Sequence, residues 1–196
     1  MLKHKIKAMT LGYADDLNTD VSRVIDGVSY AKIQERIAVL EEEEKLIATK
    51  SRNGRELPRL SIPPSAYLVT DYKKYFDEEI FGPLLHVYVY EKDELDEILS
   101  FINESKFGLT LSIHSRVTSF YDNISRKMKV GNVYINRDQI GAVVETQPFG
   151  GYGLSGTGPK AGGPNYLMNL LNEKTFSHDT TTAGGNASLF MLPEKE

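Results

Sequence analysis

The chain has 196 residues, and 23 Lys and Arg against 27 Asp and Glu leave a net charge of −4, a mild balance that argues against a nucleic-acid footprint. Hydrophobic residues at 40% and charged residues at 26% suit a globular chain of one or two domains with a sizeable core. The absence of Cys excludes disulfides, iron–sulfur clusters, thiolate zinc sites and a Cys nucleophile from these residues.

The opening Met1-Leu2-Lys3-His4-Lys5-Ile6-Lys7 lacks the apolar stretch of a secretory signal, and no apolar run approaches the ~20 residues that span a bilayer, so the expected compartment is the cytoplasm. From Tyr30 to Lys45, Tyr30, Ile33, Ile37 and Leu40 recur at helical spacing between polar neighbours, which predicts an amphipathic surface helix. The acidic run Glu41 to Glu44 reads as the solvated end of that helix, with a strand following at Leu46 to Thr49. Asn53-Gly54, Pro58 and Pro63-Pro64 predict an irregular connection over 50–65, and Ala66 to Thr70 has strand composition.

The pattern is regular from His86 to Asn136. Residues 86–90 read as a strand, and Leu95, Ile98, Leu99 and Ile102 predict a helix. Leu109, Leu111 and Ile113 alternate, Phe120, Ile124 and Met128 repeat every fourth residue after a Thr118 cap, and Asn132 to Asn136 is a further strand. The order βαβαβ predicts an α/β fold with an open, mainly parallel twisted sheet, in which the strands at 86–90, 109–114 and 132–136 pair through right-handed crossovers. Ligands of such sheets gather outside the carboxyl ends of the strands, which makes the residues after Asn136 site candidates.

Eight of the 16 glycines fall between Gly141 and Gly163, where the chain must turn tightly or approach a neighbour closely. Helix returns near Asn165 to Leu171, and Glu173 to Leu189 reads as a strand, a turn and a second extended segment. Gly151-Tyr152-Gly153-Leu154-Ser155-Gly156 matches G-x-G-x-x-G, but Gly158-Pro159 and Gly162-Gly163-Pro164 prevent the helix that a dinucleotide site needs next. A P-loop reading of Gly153 to Lys160 fails as well, because Pro159 precedes the Lys and Ala161 stands where a Ser or Thr would hold Mg²⁺. A free-standing nucleotide-binding module rests on these glycine patterns alone. His4, His86, His114 and His178 lie far apart without i, i+4 spacing, so no metal site is expected, and His86 and His114 read as satisfied structural histidines.

Glu79-Ile80-Phe81-Gly82-Pro83, Pro148-Phe149-Gly150-Gly151 and Ser155-Gly156-Thr157-Gly158 resemble signatures of the aldehyde dehydrogenase superfamily. Gly131 to Arg137, Gly141-Ala142-Val143-Val144, Gln147 to Gly151, Leu154 to Pro164 and Thr180 to Ser188 are similar, within it, to the L-glutamate γ-semialdehyde (Δ1-pyrroline-5-carboxylate) dehydrogenase part of the bifunctional proline utilization A (PutA) proteins. The likeness begins at Leu17 to Val21 and Val24 to Asp26, runs over almost the whole chain, and covers less than half of a complete enzyme of that family.

The resemblance implies a C-terminal part of an NAD-dependent dehydrogenase of proline catabolism to glutamate. Residues 1–172 would be a partial catalytic domain and 173–196 a C-terminal extended segment of the oligomerisation type. The cofactor domain, general base, oxyanion-hole Asn and catalytic Cys would lie upstream of residue 1. In the family a Cys thiolate attacks the aldehyde, the adduct gives hydride to the nicotinamide, and water releases the acid. No residue here replaces that thiolate, so the chain alone is expected to be inert and to hold no NAD. By resemblance Glu79 hydrogen-bonds the nicotinamide ribose hydroxyls and Phe81 packs beside the nicotinamide ring. Gly141 and Ala142 fall on the loop whose backbone N–H groups hold the substrate's α-carboxylate, and Phe149 packs on the aliphatic part of the substrate. Gly153, Gly156 and Gly158 have structural roles. Glu145-Thr146 departs from a family pattern of a small residue and Val, placing an extra carboxylate beside the anion-binding loop. Expected partners are a second copy of the chain, meeting through an exposed edge or apolar patch, or a separate chain carrying the cofactor domain and Cys, with neither nucleic acid nor membrane. The alternative is a non-catalytic folded remnant or self-associating interaction module.

Overall fold

The computed structural model of the protein describes residues 1–51, 56–76, 78–143, 145–156 and 160–179. The Asn53-Gly54 turn, Val144, Gly158-Pro159 and Thr180 to Ser188 lie outside them. The chain forms two compact units, one of Met1–Phe107 with Ser115–Lys129, the other of Gly108–His114 with Val130–Glu196.

In the first unit, α1 (Leu2–Ala8) buries Ile6, and Lys5 and Lys7 in its last turn complement the helix dipole. Its seven residues fall within the stretch that sequence reading left without structure. Helix α2 (Gly27–Glu43) begins three residues before Tyr30 because the Asp26 side chain accepts the backbone N–H of Ser29 at 2.7 Å. That contact also holds the Asp26 carboxyl below its ordinary pKa. Helix α2 ends at Glu43, and the extended backbone of Glu44 leads into β1 (Lys45–Thr49).

The acidic run is more than a solvated helix end. Glu43 and Glu44 both accept from the Tyr75 hydroxyl, at 2.9 and 3.0 Å, and Lys74 pairs with Glu43. Glu44 also accepts from the N–H and hydroxyl of Thr70. These carboxylates supply the acceptors that the buried tyrosine and the chain after the second strand require, a role no helical wheel reveals. Burial and the two carboxylates push the Tyr75 phenol well above its ordinary pKa.

Strand β1 pairs antiparallel with β2 (Ser65–Leu68), and β2 pairs parallel with β3 (Leu84–Val87). Leu40 and Tyr67, essentially inaccessible, form one core cluster with Val69 and Tyr75, while Val24, Ile33 and Ile62 form a second beneath the start of α2. Helix α3 (Leu95–Glu104) and α4 (Thr118–Lys127) follow the expected apolar periodicity and bury Leu99 and Ile124. Thr118 opens α4 instead of capping it, and it is the Ser115 hydroxyl that accepts the N–H of Val117. Asn103 ties the ends of the two helices together by donating to the Lys127 carbonyl and accepting from the Lys129 N–H.

In the second unit β4 (Thr110–Ile113) and β5 (Asn132–Ile135) pair in parallel, as expected. The expected single sheet of all three strands does not form: β3 takes β2 as its partner, and β1 adds an antiparallel edge. The α/β character stands, in small sheets. Residues 165–171 form only a 3₁₀ turn, Leu167–Leu170, whose apolar side chains stay exposed and so gain no burial to support a longer helix. Residues 173–179 are in no helix or strand. No helix among the described residues is long and apolar enough to cross a membrane.

His114 bonds through Nε2 to the Ser112 hydroxyl at 3.0 Å. His86 departs from the satisfied histidine expected. Its ring lies 5.3 Å from that of Tyr75, and its buried Nε2 has no hydrogen-bond partner among the described residues. Burial, assisted by the charge of Arg36, lowers its pKa and favours the neutral imidazole.

Candidate functional site

In the first unit, residues 78–82 connect the 3₁₀ turn Lys73–Tyr75 to β3 and are pinned at two points. Ile80 packs into the cluster of Val24, Ile33 and Ile62. Gly82 lies so close to Ile33 that a Cβ there would come within 2.5 Å of its Cδ1. On either side of half-buried Ile80, Glu79 and Phe81 remain exposed, and Phe81 takes the left-handed backbone, φ 49°, with 80% of its surface open. An exposed aromatic in that conformation is a local strain which the surrounding packing must hold.

Glu79 and Phe81 share the wall of a cavity of about 490 Å³ with Ser29, Lys32, Arg36 and Val39 of α2. Lys32 fixes the near end of the segment through a 2.6 Å ion pair with Glu78. The Glu79 carboxylate accepts no hydrogen bond among the described residues. It is therefore available for a diol, which two carboxylate oxygens match. Lys32 and Arg36 went unassigned in the sequence; their i, i+4 spacing on one helical face was the signal that could have found them.

In the second unit, Asn136 leaves β5 in the left-handed conformation, φ 55°, and Arg137 starts a loop that returns at Gln147. Gly141, φ 80°, and Ala142 are exposed, and neither backbone N–H meets an acceptor among the described residues. Such exposed backbone donors on a small-residue loop are open to an anionic acceptor. Phe149 lies on the returning limb, half-buried, exchanging backbone hydrogen bonds of 3.0 and 2.9 Å with Ala161. The sequence-expected residues thus assemble as Glu79 with Phe81 on one cavity, and Gly141 with Ala142 on one loop.

Arg137, Asn132 and Lys160 support that loop. Asn132 donates to the Pro148 carbonyl and accepts from the Gly150 N–H, and Lys160 caps the Gly131 carbonyl. The glycine pattern after Gly150 is close packing. A Cβ on Gly156 would lie 2.2 Å from the Gly151 oxygen, and one on Gly151 2.6 Å from the Ser155 oxygen. This explains G-x-G-x-x-G here without a phosphate.

Glu145 adopts φ 69°, with its N–H on the Gly162 carbonyl at 3.0 Å. Because glycine occupies that region without a Cβ penalty, Glu145→Gly is expected to raise stability by about 1 kcal/mol, read as a higher urea midpoint at unchanged slope.

Residues 1–176 match the aldehyde dehydrogenase family profile. The chain belongs to the aldehyde dehydrogenase family. It is 36% identical to bifunctional protein PutA of Klebsiella aerogenes, over 100% of this chain and 16% of that protein. With 1-pyrroline-5-carboxylate dehydrogenase of Bacillus subtilis it shares 34% identity over 87% of this chain and 33% of the relative. A crystal structure of a Bradyrhizobium japonicum proline utilization A (PutA) mutant superposes with a TM-score of 0.81 at 37% identity, covering 93% of this chain and 18% of that one. The chain therefore spans a third or less of these relatives. Members of the family generally use NAD. A carboxylate without a hydrogen-bond partner among the described residues, Glu79, and an exposed ring, Phe81, are of the chemistry that would hold a ribose diol and a nicotinamide ring. Among the described residues there is no cluster of three His, Asp or Glu side chains for a metal.

Proposed function

We propose that these 196 residues supply the nicotinamide-positioning and carboxylate-binding part of an NAD-dependent L-glutamate γ-semialdehyde dehydrogenase, in the cytoplasm, with residues 1–172 as catalytic-domain sequence. The observation that carries the reading is a pair of elements without hydrogen-bond partners among the described residues, the Glu79 carboxylate beside Phe81 and the amides of Gly141 and Ala142. NAD⁺, when bound, would supply the hydride acceptor for the tetrahedral adduct that the nucleophile forms at the aldehyde carbon. Glu79 holds the ribose diol, and Phe81 restricts the ring against it so that the hydride distance stays short. Gly141 and Ala142 bind the α-carboxylate through their N–H groups, and Phe149 packs on the methylene carbons. The nucleophile must come from outside these residues, since they contain no Cys.

The test is NAD⁺ reduction with L-glutamate γ-semialdehyde after mixing the chain with a family segment that carries the cofactor domain and catalytic Cys. Glu79→Gln and Phe81→Ala are expected to lower kcat by about tenfold or more by misplacing the ring. Ala142→Leu is expected to act mainly on KM. No recovered activity with a folded complement would reject the reading. It would favour the self-associating module instead, which the exposed run Leu167, Met168, Leu170 and Leu171 supports.

A further inference from the structure

We propose that Arg137 is the positioning residue of the Gly141-Ala142 loop, bolting its outgoing and returning limbs together so that the two free amides keep one fixed arrangement. This rests on the reading that the loop takes the substrate's α-carboxylate, and it explains how so exposed a loop is preorganised. Three nitrogens of one guanidinium make the connection. Nε donates to the Asp138 carbonyl at 3.3 Å and Nη2 to the Ile140 carbonyl at 3.3 Å, both on the outgoing limb. Nη1 donates to Gln147 Oε1 at 3.2 Å on the returning limb. Asp138 Oδ1 lies 3.5 Å from Nη2, and the guanidinium carbon sits 4.6 Å from the centre of the Tyr134 ring.

The base of this clamp is equally fixed. The Arg137 carbonyl accepts from the Ser112 hydroxyl at 2.7 Å, and Tyr134 is buried in β5. Gln147 is held in turn by its own N–H on the Val143 carbonyl at 2.6 Å. Between these anchors the Glu145 N–H reaches the Gly162 carbonyl at 3.0 Å, while the backbone N–H groups of Gly141 and Ala142, near the apex, meet no acceptor among the described residues. A planar fork is needed for this task, because its donors leave in fixed divergent directions while a lysine ammonium presents one point charge. The charge of Arg137 is already engaged by Asp138, two carbonyls and an aromatic face, so its contribution is geometric. Ordering the loop before binding removes an entropic cost from carboxylate capture.

The experiment titrates the ¹⁵N-labelled chain with L-glutamate, which carries the same α-carboxylate, and follows the amide resonances of Gly141 and Ala142. Arg137→Met is expected to raise the dissociation constant about tenfold, as loss of preorganisation does, and to lower the heteronuclear NOE at both amides. Arg137→Lys, which keeps the charge and loses the fork, is expected to stay within about twofold of Arg137→Met. Gln147→Leu removes the acceptor on the returning limb and leaves Arg137 in place, so it reads the same clamp if Arg137→Met does not fold. Wild-type affinity in Arg137→Met or Gln147→Leu would overturn the clamp, as would full recovery in Arg137→Lys, while leaving the carboxylate reading intact. A wild-type chain whose Gly141 and Ala142 amides do not respond to glutamate would overturn the carboxylate reading itself, and the clamp with it.

Discussion

Gly131→Ala is expected to destabilise the second unit by about 3 kcal/mol or more, the range of severe overpacking and backbone displacement. A Cβ at this position would lie 1.7 Å from the Gly150 carbonyl oxygen, 2.7 Å from its carbon and 2.9 Å from the Gly151 Cα. All three are backbone atoms, so no rotamer change relieves the overlap. The backbone cannot withdraw freely either. Gly131 N donates to the Gly108 carbonyl at 2.9 Å, its carbonyl is capped by Lys160, and Gly150 N is held by Asn132. Gly27→Ala provides the contrast: nothing lies within 4 Å of its added Cβ, at the first position of α2. There the substitution is expected to be neutral or to stabilise by up to about 1 kcal/mol through the unfolded chain. Urea unfolding of both variants checks the pair, and a Gly131→Ala midpoint equal to wild type would show that the Gly131–Gly150 approach is looser than described.

The purified chain alone is expected to reduce no NAD⁺ with L-glutamate γ-semialdehyde and to show no micromolar NAD⁺ binding by calorimetry. The activity prediction depends on a missing nucleophile: a Ser, Thr or Tyr oxygen would be a far weaker nucleophile at neutral pH and would leave an ester where the family forms a reactive thioester. The binding prediction depends on area and preorganisation. In the proposed roles Glu79 and Phe81 would contact the nicotinamide half only, too little to offset the freedom a dinucleotide loses on binding. Turnover by this chain, with contaminating dehydrogenase excluded, would overturn the reading. Micromolar affinity would revive an independent nucleotide-binding role.

Local periodicity made α3 and α4 legible, since Leu95, Ile98, Leu99 and Ile102, and then Phe120, Ile124 and Met128, define apolar stripes before any tertiary contact exists. The start of α2 was also encoded, in Asp26 followed three residues later by Ser29, although apolar spacing alone placed it too late. The motif around Glu79 and Phe81, and the small residues at Gly141 and Ala142, marked candidate site positions through their resemblance to the family's signatures, with residue types that suit the implied contacts.

The sequence by itself therefore determined α3, α4, the body of α2, the α/β character and the absence of Cys from these residues, and its family motifs marked the candidate site positions. Tertiary structure alone decided that β3 joins β2, because strand pairing depends on which edge another segment occupies. It likewise decided that Glu43 and Glu44 serve Tyr75, that Gly131 packs against Gly150, and that Arg137 reaches Gln147, ten positions along the chain. Each of these is a contact between residues distant along the chain, whose geometry exists only after the core around Leu40 and Tyr67 and the β4–β5 pair have formed.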